Sequence, residues 1–135
     1  MASQTKPRES QTAPAVARKS APSIVKGRRS FFEYVDLGVT DASDERMRVQ
    51  IIKGKKGMVK PTGWHYHVCE GQFVYMTGGW LEIEFADGVC RLEEGDPVYI
   101  PGGLPHNEIR TSDDMQLLEM SVPAKMSTVP CNAPG

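Results

Sequence analysis

Several common protein classes are excluded by what this chain lacks. It has no run of apolar residues near the roughly 20 that a membrane-spanning helix needs, so no membrane association is expected. No continuous apolar core follows the early charges, so no secretory signal is expected either. The three cysteines, Cys69, Cys90 and Cys131, are odd in number and show no paired spacing. That argues against a disulfide scaffold and for free thiols in a reducing, cytoplasmic compartment. Nowhere do apolar residues recur at helical spacing over three turns, which excludes a helical bundle. There is no glycine-rich phosphate loop leading into a helix, and no internal repeat. Histidine is scarce, with three in 135 residues.

Aromatic residues are missing from the first 30 positions, and acid is nearly so. Residues 1–29 carry seven Lys or Arg against one Glu, while residues 30–135 carry nine basic and sixteen acidic side chains. With Val16, Ile24 and Val25 as its only bulky aliphatics besides Met1, the first segment buries too little to offset the entropy of ordering. A flexible basic tail over 1–29 and a single folded domain over 30–135 are expected. A solvated tail, ordered at most against a neighbouring subunit, outweighs a transit peptide or a nucleic-acid arm. The acidic balance of the rest speaks against a nucleic-acid surface there.

What is present reads as β structure. Phe31–Val35 is aromatic and β-branched; Met47, Val49 and Ile51 alternate with Arg48 and Gln50. Further strands are expected over 64–68, 73–76, 80–85, 89–92, 97–100, 106–110 and 115–122. Leu81, Ile83 and Phe85 alternate with Trp80, Glu82 and Glu84, a half-buried strand, and Asp87-Gly88 marks a hairpin turn. Short strands at regular spacing, with 13 Gly and 10 Pro between them, predict an all-β sandwich or barrel. Flat aromatic strands such as Phe31–Val35 are expected to pair at sheet edges in a homodimer.

The histidines are placed informatively. His65 and His67 are two apart on a predicted strand, so they share a face, with Cα atoms about 7 Å apart. Two imidazoles so placed can converge on one ion at about 2.0–2.1 Å. His106 opens a later strand after Pro101-Gly102-Gly103-Leu104-Pro105, and a closed sheet would bring it opposite the pair.

The stretch from Gly63 through His65, His67 and Gln72 to Gly79 resembles the first motif of the cupin superfamily: glycine, His-x-His, Glu, then glycine. Gly95 through Pro101-Gly102-Gly103 to His106 resembles its second motif. The resemblance implies a cupin double-stranded β-helix, a jelly-roll barrel with a metal site inside. The likeness departs from the family pattern at several points. The family's Glu ligand falls by spacing at Gln72, a neutral and weaker donor; Glu70, only three positions after His67, is short for the motif. Cys69 joins the face of His65 and His67 only if that strand extends so far. Gly57, eight positions before His65, is displaced from the motif, and the family's Asn after the last histidine is Arg110.

The implied metal set is His65, His67 and His106, with Gln72 as a fourth ligand or an orienting group. Three neutral imidazoles leave the ion's charge uncompensated and favour an anionic, chelating substrate. Fe(II) is the first choice, with Zn, Ni and Mn also suited to imidazole. Glu108 and Arg110 follow His106 at period two. Glu108 is read as a general base or a partner of a ligand imidazole, and Arg110 as a clamp for a substrate carboxylate. The bland alternative is a Glu108–Arg110 ion pair at the barrel mouth. Val74, Met76 and Met120 are candidates to line the cavity, though more simply core. The expected function is a mononuclear metal enzyme of dioxygenase type acting on a small chelating molecule. The alternatives are a metal-dependent isomerase or lyase, or a non-catalytic small-molecule- or metal-binding module.

Overall fold

The computed structural model describes residues 14–135. Eleven strands and one helical turn follow in order: β1 (Ser23–Val25), β2 (Phe32–Asp36), α1 (Val39–Ala42), β3 (Arg48–Gly54), β4 (His65–Val68), β5 (Gly71–Gly78), β6 (Trp80–Phe85), β7 (Gly88–Glu93), β8 (Pro97–Pro101), β9 (Asn107–Thr111), β10 (Gln116–Val122) and β11 (Ser127–Pro130). The all-β expectation holds, and the strands read from 31 to 122 fall where the alternation and turn residues put them.

Six strands make one antiparallel sheet in the order β1-β2-β3-β10-β5-β8. Opposite it lie two small sheets, β11-β4 and β7-β6-β9. A bridge between His65 and His106 joins these two, with reciprocal backbone hydrogen bonds of 3.0 and 2.9 Å. The crossing order of β10 and β5 inside the large sheet is the signature of a jelly roll rather than of a meander. Met76, Ile83, Leu81, Leu92, Ile100 and Met115 form the core between the layers.

Three local findings add to the sequence reading. First, within the tail expected over 1–29, of which 1–13 lie outside the described residues, residues 23–29 lie against the barrel. β1 pairs with β2 through Ser23↔Asp36 to Val25↔Tyr34, although its side chains stay exposed. Composition weighs side-chain burial and misses a strand held by its backbone alone. β1 also covers the edge of β2, which therefore offers no free edge for pairing between copies. Second, β3 turns its polar residues inward. Gln50 and Ile52 are buried and Arg48 lines the cavity, while Val49 and Ile51 lie on the other face. Third, on β10 the inward residues are Leu117, Glu119 and Ser121, so Met120 points away from the cavity. Val74 both lines the cavity and belongs to the core, whereas Met76 is fully buried in the core, the simpler reading.

Candidate metal centre

His65 and His67 project from β4 on one face and His106 enters from the start of β9. All three are buried, at 4%, 6% and 0% exposure. The bridge His65↔His106 fixes two of them side by side, because their backbones form a closed hydrogen-bonded pair. The third is set by the loop before β9. Gly102 lies so close to the Cys69 carbonyl that a Cβ there would collide with it. Gly103, at φ +84°, donates its N–H to the His67 carbonyl at 2.9 Å. The Pro-Gly-Gly stretch therefore ties the His106 loop to the end of the His-x-His strand. One ring nitrogen from each histidine lies within 4.8 Å of the others.

The outer nitrogens decide the tautomers. His65 Nδ1 sits 2.7 Å from the Gly63 carbonyl, and His106 Nδ1 sits 2.9 Å from the Leu104 carbonyl. A carbonyl only accepts, so both Nδ1 atoms carry the proton and both Nε2 atoms present lone pairs inward. His67 Nδ1 meets the Thr128 hydroxyl at 2.9 Å. Thr128 lies on β11, directly opposite His67 in the register. These are the supports that hold an imidazole as a metal ligand.

Glu108 stands against this cluster. Its Oε2 is 3.4 Å from His65 Nε2 and its Oε1 is 3.6 Å from His106 Nε2. The Thr62 hydroxyl donates to Oε2 at 2.8 Å and accepts the Glu108 backbone N–H at 3.1 Å. Burial pushes the Glu108 carboxyl upward, but His106, His65 and the Thr62 hydroxyl outweigh it and hold the carboxyl below the ordinary carboxylate range. Burial lowers His65 despite the raising effect of Glu108. Burial, with the nearby His106 and His65, lowers His67 to about 4. At neutral pH the His65 ring is uncharged and its Nδ1 holds the proton, so Glu108 Oε2 faces a nitrogen lone pair. Acceptor against acceptor is unfavourable unless a cation lies between them. His106 Nε2 is also buried with no hydrogen-bond partner. The residues present therefore fit a divalent transition-metal ion.

The cavity in front of the histidines is about 730 Å³. Its opposite wall carries a polar network. Glu119 accepts from Gln72 Nε2 at 2.7 Å, from Gln50 Nε2 at 2.8 Å and from the Arg48 guanidinium at 3.3 Å. Because Nε2 of Gln72 is committed to a carboxylate, its Oε1 is turned elsewhere, buried and without a partner. That oxygen is the atom of Gln72 that would donate to an ion or receive a substrate proton.

Other candidates are not brought to the site. β4 ends at Val68, so Cys69 does not continue the ligand face, and Glu70 is exposed in the following turn. Neither belongs to the clustered group. Arg110 does not share the Glu108 face. A bulge in β9 lets Glu82 oppose Arg110 while Ile83 opposes Glu108, so Ile109 is an extra residue and the parity flips. The Arg110 side chain is 70% exposed and pairs with Glu82 at 2.7 Å, so the expected Glu108–Arg110 pair is absent. The residues that sequence reasoning missed are Thr62, Thr128, Gln50, Arg48 and Glu119. Ser127-Thr128-Val129, a short β-branched run before Pro130, was the available signal for β11.

The sequence profile described as a cupin domain matches residues 53–122, which include all three histidines, Gln72 and Glu108. No curated protein matches the chain. Among solved structures, KdgF from Halomonas sp. superposes with a TM-score of 0.67 at 17% identity, covering 84% of this chain and 96% of that one. A Streptomyces PAC13 structure with uridine gives 0.60 at 11%, covering 82% and 88%; PAC13 is described as a nucleoside dehydratase. An RmlC-like cupin from Shewanella frigidimarina gives 0.60 at 15%, covering 85% and 96%. Identities this low establish a shared fold and nothing about substrate.

Proposed function

This chain belongs to the cupin domain family, and from that premise we propose that it is a metal-dependent enzyme acting on a small chelating organic molecule. His65, His67 and His106 would hold one divalent ion through their inward nitrogens. Gln72 Oε1 would serve as a neutral fourth donor or as an acceptor for substrate. Fe(II) remains the first choice, with Zn, Ni and Mn equally acceptable to imidazole. When bound, such an ion polarises a substrate oxygen and acidifies the adjacent C–H.

The observation that carries the reading is Glu108: a carboxylate whose two oxygens lie 3.4 and 3.6 Å from Nε2 of His65 and His106, two of the three clustered histidines. Thr62 ties down Oε2 and leaves Oε1 the freer oxygen. Glu108 Oε1 would take a proton from the substrate carbon and return it to a neighbouring carbon or to a departing hydroxyl. That favours an isomerase or lyase. General acid–base help of this kind contributes about 10²–10⁴-fold. An oxygen-dependent dioxygenase is the second reading. It is supported by the three neutral imidazoles, which leave positions open for both substrate and O₂.

The test starts with metal content of natively purified, untagged protein, against His65→Ala/His106→Ala. About one ion per chain, lost in the variant, is expected; no ion even after reconstitution overturns the metal reading. The loaded protein is then incubated in D₂O with a panel of hydroxy and oxo acids. Deuterium incorporation by NMR without oxygen uptake is expected, and Glu108→Gln should abolish it. Oxygen uptake in its place would favour the dioxygenase. Neither signal, with metal bound, would leave a binding module.

A further inference from the structure

The segment between β1 and β2 forms part of the cavity wall. Lys26, Arg28 and Arg29 line the same space as His65 and His67. The segment is held in place at several points. A Cβ at Gly27 would run into the Tyr34 ring, so the backbone lies directly on that ring. The Arg29 N–H donates to the Tyr34 hydroxyl at 3.2 Å, and the Arg29 guanidinium donates to the Thr62 carbonyl at 3.2 Å. This basic run, set aside by composition as tail, is thus fastened to the loop that also holds Glu108.

The cations of the cavity differ in what they bind. Arg29 is engaged by Thr62 and Arg48 by Glu119. Arg28 forms no hydrogen bond or ion pair among the described residues. It lines the same cavity as His65, His67 and Glu108 while remaining exposed to solvent. A planar cation with five donors and no partner, lining the same cavity as the histidine cluster, matches one planar, two-oxygen anion. A phosphate, with more oxygens and charge to satisfy, would draw on several free cations, and the neighbouring arginines are already committed.

We infer that Arg28 clamps a carboxylate of the substrate, so that the site takes a small organic acid held at one end by the histidine cluster and at the other by this guanidinium. This rests on the metal reading above and names the substrate class for it. Lys26, at the rim of the same wall, adds a point charge on the approach.

The experiment uses the full chain, loaded with Zn²⁺ and with its metal content measured on the same samples. α-Hydroxy dicarboxylic acids of increasing length, from malate to 2-hydroxyadipate, are titrated by calorimetry beside lactate, which lacks the distal carboxylate. At least one dicarboxylate is expected to bind more tightly than lactate. Arg28→Ala should weaken that acid by about ten- to a hundredfold while leaving lactate and the unfolding temperature unchanged. Arg28→Lys should recover only part of the loss, because it restores charge without the fork. Equal binding of all acids to wild type and Arg28→Ala overturns the assignment, as does no binding of any acid to loaded protein. Tighter Arg28-dependent binding of inorganic phosphate also overturns it. Protein that takes up no zinc overturns the metal reading itself, which the metal measurement identifies separately.

Discussion

Glu108 and Glu119 line one cavity from opposite walls, yet their surroundings are opposite in kind. Glu119 is surrounded by donors from Arg48, Gln50 and Gln72. Glu108 has the Thr62 hydroxyl and then two imidazole nitrogens at 3.4 and 3.6 Å, beyond good hydrogen-bond distance. Both are carboxylates largely withdrawn from water, so burial alone does not separate them. Their partners do: Glu119 accepts from three side chains, whereas the only side-chain donor to Glu108 among the described residues is the Thr62 hydroxyl.

The largest effect should come from removing each carboxylate's charge in turn. Glu108→Gln is expected to lower turnover by about a hundredfold or more. The same change should alter the stability of the metal-free protein by no more than about 1 kcal/mol, since the amide keeps an acceptor for Thr62 and its N–H can donate to an imidazole nitrogen. Glu119→Ala should cost about 2–4 kcal/mol by leaving buried donors unpaired. Urea denaturation of both metal-free variants, with metal content as a control, checks the difference. Destabilisation of equal size in both would erase the distinction.

A second, smaller effect concerns pH. His67 titrates at about 4 in the folded protein, lowered chiefly by burial, against about 6.5 when unfolded. Between those values the unfolded chain binds a proton that the folded chain refuses. Stability of the metal-free protein is therefore full above about pH 6.5 and is lost as pH falls towards 4, by up to about 3 kcal/mol. Denaturation midpoints across that window should show the slope, and His67→Gln should flatten it. An unchanged slope in the variant would place the titration elsewhere.

The smallest effect sharpens the contrast between the cavity and the outer surface. Arg110→Ala removes an exposed pair with Glu82 and should change stability by no more than about 0.5 kcal/mol and metal content not at all. A large loss of metal or turnover would return Arg110 to the site.

Much of this was legible in the chain itself. The His-x-His spacing put His65 and His67 on one face because a strand repeats every two residues, and Leu81 and Ile83 faced inward for the same reason. The period also explains the failures. A single extra residue at Ile109 reverses it, and nothing local in His106–Arg110 announces a bulge. On β3 the alternation does not say which set faces inward; Arg48 and Gln50 do, because Glu119 on β10 supplies their partner. Only the paired strand makes that polar face tolerable, and the pairing joins residues about seventy positions apart. Thr128 was hidden for the same reason: its role exists only once β11 lies beside β4.

The bridge between His65 and His106 has one more implication. The two residues exchange backbone hydrogen bonds at the seam between two small sheets, so the ligand cluster is also the fastener of that seam. An ion bound there would act as a rivet, coupling its release to the parting of the layers. Amide protons at these two positions would then exchange with solvent at the pace of metal loss, making the backbone itself a reporter of occupancy.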